Sequence, residues 1–355
     1  MKPEHVTPRM SPREIVDSMR KFHDLKVLVV GDLFLDEYIE GEMFEISKEG
    51  PIPVIRLESK VQTAGAAGNL ASSIRNLGAG VSVVGVAGKD ANGAVLLSQM
   101  RKKGIRVSGV IVDPTKPTLT YTKVRARVEN TPSREILRMD ILPDEAPDPK
   151  TETKIIDAIR RESRGIDAIV VLDQIHHLIT KRVLKELPEI ARSTGALLHG
   201  SSRDHIADFR CFDLITPNDR EASGAVGRLL GARLGGDMGA RMGEHMAGNV
   251  ERVGGLLKKL GRHRKVLLTL GAEGMAIFPQ KGPAERLPTL ATEVVDVTGA
   301  GDALSATALL GNVLGWDLGS TAWAASHAAA IAIAHVGTHH VSYRELAERI
   351  LGTIH

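Results

Sequence analysis

At 355 residues, 43% of them hydrophobic and 25% charged, the chain has the size of one large α/β domain and the balance of an ordinary globular protein, which excludes a disordered one. Lys plus Arg (46) nearly cancel Asp plus Glu (43), leaving +3; that excludes a general polyanion-binding surface but not a local phosphate pocket. The single cysteine, Cys211, excludes an internal disulfide framework and fits a cytoplasmic location, and 3% aromatics argue against a stacking platform for nucleic acid.

Residues 1–25 carry scattered charges and no apolar core of a secretory signal, and they read as a loose N-terminal extension. Within it Ser11 is placed to cap a short helix, with Pro12 at its first position and Glu14 at its third. The fold is expected over 26–355. Runs rich in Val, Ile and Leu at 26–30, 81–86, 168–172, 196–199, 213–216 and 265–270 alternate with helical patterns at 66–77, 91–103, 151–162 and 180–193. Strands without polar alternation are expected where helices cover both sheet faces, so the fold class is α/β with a doubly wound, mostly parallel sheet.

Two stretches break that pattern. Over 37–62 and 118–128 polar and apolar residues alternate, and Thr118, Thr120, Thr122, Val124, Ala126 and Val128 share one face. Half-exposed strands of this kind predict a small β-sheet lid outside the main sheet. Residues 227–250 repeat every four positions, glycine opening five units and Leu, Met or Val closing all six. Such a stripe winds around a helix, so we read the segment as a weakly structured insertion without a chemical role, a glycine ridge for close helix contact being the alternative. The apolar run 322–336 contains Ser326, His327 and His335 and falls short of the ~20 residues of a spanning helix. It predicts a buried helix and no membrane segment.

Four motifs bear on chemistry. Asp296-Val297-Thr298-Gly299-Ala300-Gly301-Asp302 leads into a helical run, which aims backbone N–H groups at one point and suits an anion. Asp302 would repel a phosphate but would serve as a base for a hydroxyl attacking one; a helix-starting acid is the plain alternative. Asn218 and Glu221, in Thr216-Pro217-Asn218-Asp219-Arg220-Glu221, suit a hydrated Mg²⁺ or a capping box. The segment 268–278, with Thr269, Gly271 and Gly274, fits a hairpin. The small residues of Thr63-Ala64-Gly65-Ala66-Ala67-Gly68-Asn69 admit either a ligand or tight packing.

In this order the four motifs resemble those of the PfkB (ribokinase-like) carbohydrate kinases, from about Lys26 to Leu351. Within that family, the segments at 31–36, 45–54, 137–140 and 336–342 are similar to those of D-glycero-D-manno-heptose 7-phosphate kinases, which phosphorylate the anomeric O1. The resemblance implies an ATP-dependent sugar or sugar-phosphate kinase. Asp302 would be the base and Gly299, Ala300 and Gly301 the anion hole. Asn218 and Glu221 would organise Mg²⁺, through water, and the ATP phosphates. Thr269, Gly271 and Gly274 would line the nucleotide side, with Ser326 near the adenine. Asp296 would belong to a monovalent-cation loop, K⁺ being the candidate ion. Asp32, Asp36, Gly65, Asn69 and Arg138 would face the sugar, and the lid would cover it and pair a homodimer.

The chain departs from that pattern in places. Ala64 replaces a glycine, Glu45 replaces an Arg near the expected substrate phosphate, and Asp173-Gln174-Ile175-His176-His177 and His199-Gly200-Ser201-Ser202 each lack a Lys. Arg125, Arg127 and Arg203 are the cations available to compensate. The pairs His176-His177 and His339-His340 lack a completing ligand set, which argues against a metal there. A kinase of another sugar or a nucleoside, or a binding protein of low turnover, stays open beside the heptose phosphate reading.

Overall fold

The computed structural model describes residues 4–6, 8–128, 131–142, 145–174, 177–234 and 249–354. The main sheet has ten strands: β1 (Glu4–His5), β2 (Lys26–Gly31), β5 (Gly80–Gly88), β6 (Arg106–Asp113), β9 (Ala168–Asp173), β10 (Leu197–Ser202), β11 (Leu214–Ile215), β12 (Lys265–Thr269), β13 (Met275–Phe278) and β14 (Glu285–Leu287). Their order is β1-β14-β13-β12-β11-β10-β9-β2-β5-β6, parallel except where β13 pairs with β12 and β14. Alternate residues of one strand feed two different cores. Val27 and Val29 pack with Ala168, Val170 and Leu172 in one cluster; Leu28 and Val30 pack with Ile169 and Val171 in another. Both faces being apolar is why these strands read as unbroken hydrophobic runs.

The first core is covered by α1 (Pro12–Met19), α2 (Ala67–Asn76), α3 (Ala91–Lys102), α8 (Ala300–Val313), α9 (Leu318–Ala332) and α10 (Tyr343–Leu351). The second lies under α4 (Pro149–Glu162), α5 (Lys181–Thr194), α6 (Asp219–Leu234) and α7 (Val250–Gly261). α8 and α9 are apolar around most of their circumference and almost wholly buried, as expected for the run near 322–336. Among the described residues no helix is long and apolar enough to cross a membrane. The glycine-rich repeat falls largely on 235–248, outside the described residues, as does His176.

The lid is a separate four-stranded sheet in the order β4-β3-β7-β8, formed by β3 (Leu33–Ile46), β4 (Pro53–Ala66), β7 (Thr120–Arg127) and β8 (Arg134–Ile141). Thr120, Thr122, Val124 and Ala126 are its buried face, as the alternation predicts. The strand β8 is exposed along its whole length and lacks that alternation, which is why sequence alone does not separate it from a loop. The chain crosses between body and lid four times, at β2–β3, β4–α2, β6–β7 and β8–α4, and the first two crossings are adjacent. Only Asp32 separates β2 from β3, and β4 runs directly into α2 at Ala66. The Ala67 N–H donates to the Asp32 carbonyl at 3.0 Å, and Ala66 sits at φ +45°, a left-handed conformation that costs a residue with a Cβ about 1–3 kcal/mol.

The N-terminal segment differs from the loose extension expected of it. Ser11 and Glu14 form the capping box with Pro12 at the first helical position. Beyond the cap, Ile15, Met19 and Phe22 are fully buried in the first core, and the Trp316 indole N–H donates to Ser18 Oγ at 2.8 Å. An amphipathic helix this short owes its stability to the face it buries. Phe22→Ala is therefore expected to lower the unfolding free energy by about 3–5 kcal/mol in denaturant titrations, whereas a loose extension would leave it unchanged.

Candidate active site

The loop before α8 supplies the central feature. Gly299 stands at φ +81°, where a side chain would be strained, and turns the chain into the helix at Ala300. The Ala300 N–H bonds weakly back to Val297 and the Ala303 N–H to Gly299. Among the described residues no group accepts from the N–H groups of Gly301 and Asp302, as the geometry of a helix start dictates. Asp296 holds the loop in place: one carboxylate oxygen accepts from the Thr298 N–H and hydroxyl (2.9 and 2.7 Å), the other from the Gly337 N–H (2.9 Å). These bonds to the charged form keep its pKa below the usual carboxylate range.

Asp302 lies half-buried in the first turn of α8, and Asn69 Nδ2 donates to its Oδ2 at 2.5 Å. Burial raises its pKa to about 6, against the Asn69 hydrogen bond and with a further push from the Asp36 charge. Asp36, on β3, is itself raised by burial and held back by Lys123 and Arg138. Gly65 closes this corner: a Cβ there would fall 2.1 Å from the Phe34 ring and 2.5 Å from Asp36 Oδ2, so only glycine fits. Asp36, Gly65, Asn69 and Asp302 are thus brought together, as the sequence motifs imply. The amide of Asn69 differs from the expected sugar ligand, because its oxygen faces His340 Nε2 at 2.6 Å while its nitrogen serves Asp302.

Beside the loop is a cavity of about 340 Å³, lined by Thr269, Gly271, Gly274, Ala300, Gly301 and Ser326 together with Leu290, Val294, Val297 and Ile333. Its size and apolar walls suit a small planar ligand held by a few polar groups. The hairpin of β12 and β13 supplies one wall and α9 the other. Asn218 and Glu221 lie just beyond, since Asn218 bridges to Thr269. They form the reciprocal capping box: the Asn218 N–H donates to Glu221 Oε2 at 2.9 Å and the Glu221 N–H to Asn218 Oδ1 at 2.8 Å. Burial nevertheless lifts Glu221 to about 7, and Arg203 is the cation that offsets this.

The other expected residues are placed as follows. Arg138 bonds Asp140 at 2.8 Å and stacks over the Tyr121 ring at 4.7 Å, within electrostatic reach of Asp36. Asp32 is buried, and its Oδ2 accepts from the Gln174 N–H at 2.8 Å. Three departures take a different meaning. Ala64 is buried in the core against Gly68, so its Cβ does not narrow the cleft. Glu45 lies exposed near the outer end of β3, about 30 Å along the strand from Asp36, so its charge is far from the site within one chain. Arg125 and Arg127 are consumed by Glu40 and Glu58 in the lid. Arg203 is exposed and, among the described residues, has no carboxylate within ion-pair distance.

Sequence reasoning missed Lys123, whose charge acts on both Asp36 and Asp296. It also singled out His340 only within the 336–342 segment and as half of a metal pair, with no role in the site. His335, His339 and Glu345 do cluster, but the two imidazoles stack at 3.9 Å and 8°, so their in-plane lone pairs lie in separate layers and do not converge on one ion.

Residues 26–344 match the family model described as pfkB family carbohydrate kinase. The bifunctional protein HldE of Citrifermentans bemidjiense is 32% identical over 343 residues, covering 96% of this chain and 66% of that protein. HldE of Geobacter metallireducens is 33% identical over 328 residues, covering 91% and 62%. The chain thus spans less than two thirds of these relatives' own length. Among solved structures, phosphofructokinase-2 from Escherichia coli with potassium has a TM-score of 0.69 at 17% identity, covering 92% of this chain and 98% of that one. Ribokinase from Arabidopsis thaliana, complexed with ribose and ATP, has 0.62 at 19% identity with the same coverage. The fold is therefore ribokinase-like, and the chain belongs to the pfkB family of carbohydrate kinases.

Proposed function

We propose that this kinase transfers the γ-phosphoryl group of ATP to a sugar hydroxyl, with O1 of a heptose 7-phosphate as the favoured acceptor. The observation that carries this is the carboxylate of Asp302 beside two N–H groups without a partner among the described residues, at the mouth of the 340 Å³ cavity. The cavity would hold the adenine end, with Ser326 among its polar groups. Asp302 takes the proton of the attacking hydroxyl; the hydroxyl oxygen bonds to the γ-phosphorus as the bond to the β–γ bridging oxygen breaks and ADP leaves. The N–H groups of Gly301 and Asp302 stabilise charge on the transferring oxygens, with Arg203 as the available cation. Asp36, Gly65 and Arg138 face the acceptor. The resemblance to heptose 7-phosphate kinases and the match to HldE proteins support that acceptor class.

Mg²⁺ fits Glu221: burial has raised its pKa to about 7, a divalent cation would relieve that, and among the described residues no donor reaches its Oε1. Bound there through water with Asn218, Mg²⁺ would neutralise phosphate charge. Asp296 would anchor the monovalent-cation loop, with K⁺ as the ion. The exposed apolar side chains of β8 and β4, among them Leu57, Val61, Ile136, Leu137 and Met139, support a homodimer through the lid. The reducing environment that suits the exposed thiol of Cys211 supports a cytoplasmic location.

Asp302→Asn is expected to lower kcat for sugar-dependent ADP release by about 10²–10⁴-fold while ATP still binds. If no sugar, sugar phosphate or nucleoside raises turnover in the wild type although ATP binds, the chain is a binding protein instead. Because Asp302 must be ionised to act, and burial raises its pKa to about 6 in the free protein, kcat/KM should fall about tenfold per pH unit below that value and level off above it. Leu137→Lys with Met139→Lys should convert a dimer to a monomer in light scattering; an unchanged mass would place the interface elsewhere.

A further inference from the structure

His340 is absorbed by none of the roles above. Two asparagines of α2, seven residues and two turns apart, hold it from both ends: Asn76 Nδ2 donates to the His340 carbonyl at 2.6 Å, and the ring Nε2 lies 2.6 Å from Asn69 Oδ1. An amide oxygen only accepts, so Nε2 carries the proton and donates. The far side of that amide donates to Asp302 at 2.5 Å. The bonds therefore run in one direction, from imidazole to amide to carboxylate. Turning the Asn69 amide over would set its oxygen against the Asp302 carboxylate, losing that bond, and would force the imidazole into its other tautomer to keep the second.

Resting on the proposed role of Asp302 as base, we infer that His340 is a positioning residue that locks the Asn69 amide and thereby orients and keeps ionised the Asp302 carboxylate. Donation into the amide oxygen polarises the group and strengthens its N–H as a donor. This opposes the two influences that favour the neutral acid, burial and the Asp36 charge. His340 suits the task because it stays neutral: burial and the neighbouring Lys103 and His339 hold its pKa near 4. A neutral ring with a fixed tautomer donates in the same way across the working range of pH. The groups that face this chain are Asp36 from β3, Asn69 and Asn76 from α2, Lys103 after α3, and His339.

The test uses the full chain. His340→Phe keeps a ring and removes the donor; kcat is expected to fall about tenfold with the KM for ATP within about twofold, and the acid limb of kcat/KM to move up by about half a unit to one unit. His340→Gln, which can donate to the same oxygen, should recover most of the loss. In an Asn69→Ala background His340→Phe should cost nothing further, because the pathway is already cut. Carbon-13 titration of the Asp302 carboxyl without substrate reads the same shift independently of turnover, so it decides even if no sugar is phosphorylated. Nitrogen-15 shifts of wild-type His340 should show the neutral Nε2–H tautomer, a measurement that needs no variant. An Nδ1–H tautomer, an unmoved Asp302 titration in His340→Phe, or an equal cost in the Asn69→Ala background would overturn the inference.

Discussion

The site turns on a carboxylate, Asp302, that no cation among the described residues pairs with. Asp302 stands at the opening of a helix that is buried over most of its length, and protein lies where water would otherwise solvate it. A lysine or arginine beside it would hold the charge but would also lower its basicity, which the proposed role as a base requires. The structure uses a neutral amide instead. Asn69 stabilises the charge enough to offset part of the burial penalty and leaves the pKa near 6, poised below neutral pH.

That solution demands precise backbone placement, and much of the fold provides it. α2 brings Asn69 from the first core, α8 brings Asp302, and the two helices pack directly on each other. The loop that delivers Asp302 is pinned by Asp296 to the turn after α9, at Gly337. The same turn leads to His340. The cavity, Asp302 and the amide that supports it are thus parts of one packed unit between α2, α8 and α9, with β12 and β13 closing the far side.

The fold class was legible because the strands of the main sheet are apolar on both faces, and the lid because Thr118 to Ala126 alternate. The strand β8 was hidden, since its residues are all exposed and mix charges with apolar side chains. The N-terminal helix showed its cap but not its burial: Ile15, Met19 and Phe22 are spaced for a helix face, yet nothing local says that Trp316 lies opposite. In the site, Asp302, Gly299 and the Asn218–Glu221 pair came from local motifs. The partners of Asn69 could not, because His340 is 271 residues away and an amide that looks free in sequence is occupied at both ends. Ala64 and Glu45 misled for a related reason: substitution shows what changed but not which way the side chain points.

The crossings from body to lid at Asp32 and Ala66 lie side by side and are bonded to each other through Ala67, while the other two, through 114–119 and 142–148, meet where Lys116 donates to the carbonyls of Glu145 and Ala146. The sheet thus leaves the body as two paired roots, and β3 runs out from the first of them for fourteen residues. Asp36 lies close to that root, about 13 Å from Asp32, while the outer tip of the strand is about 45 Å away. The charge beside Asp302 is therefore tied to the rooted end of the sheet, and changes at the rim are remote from it.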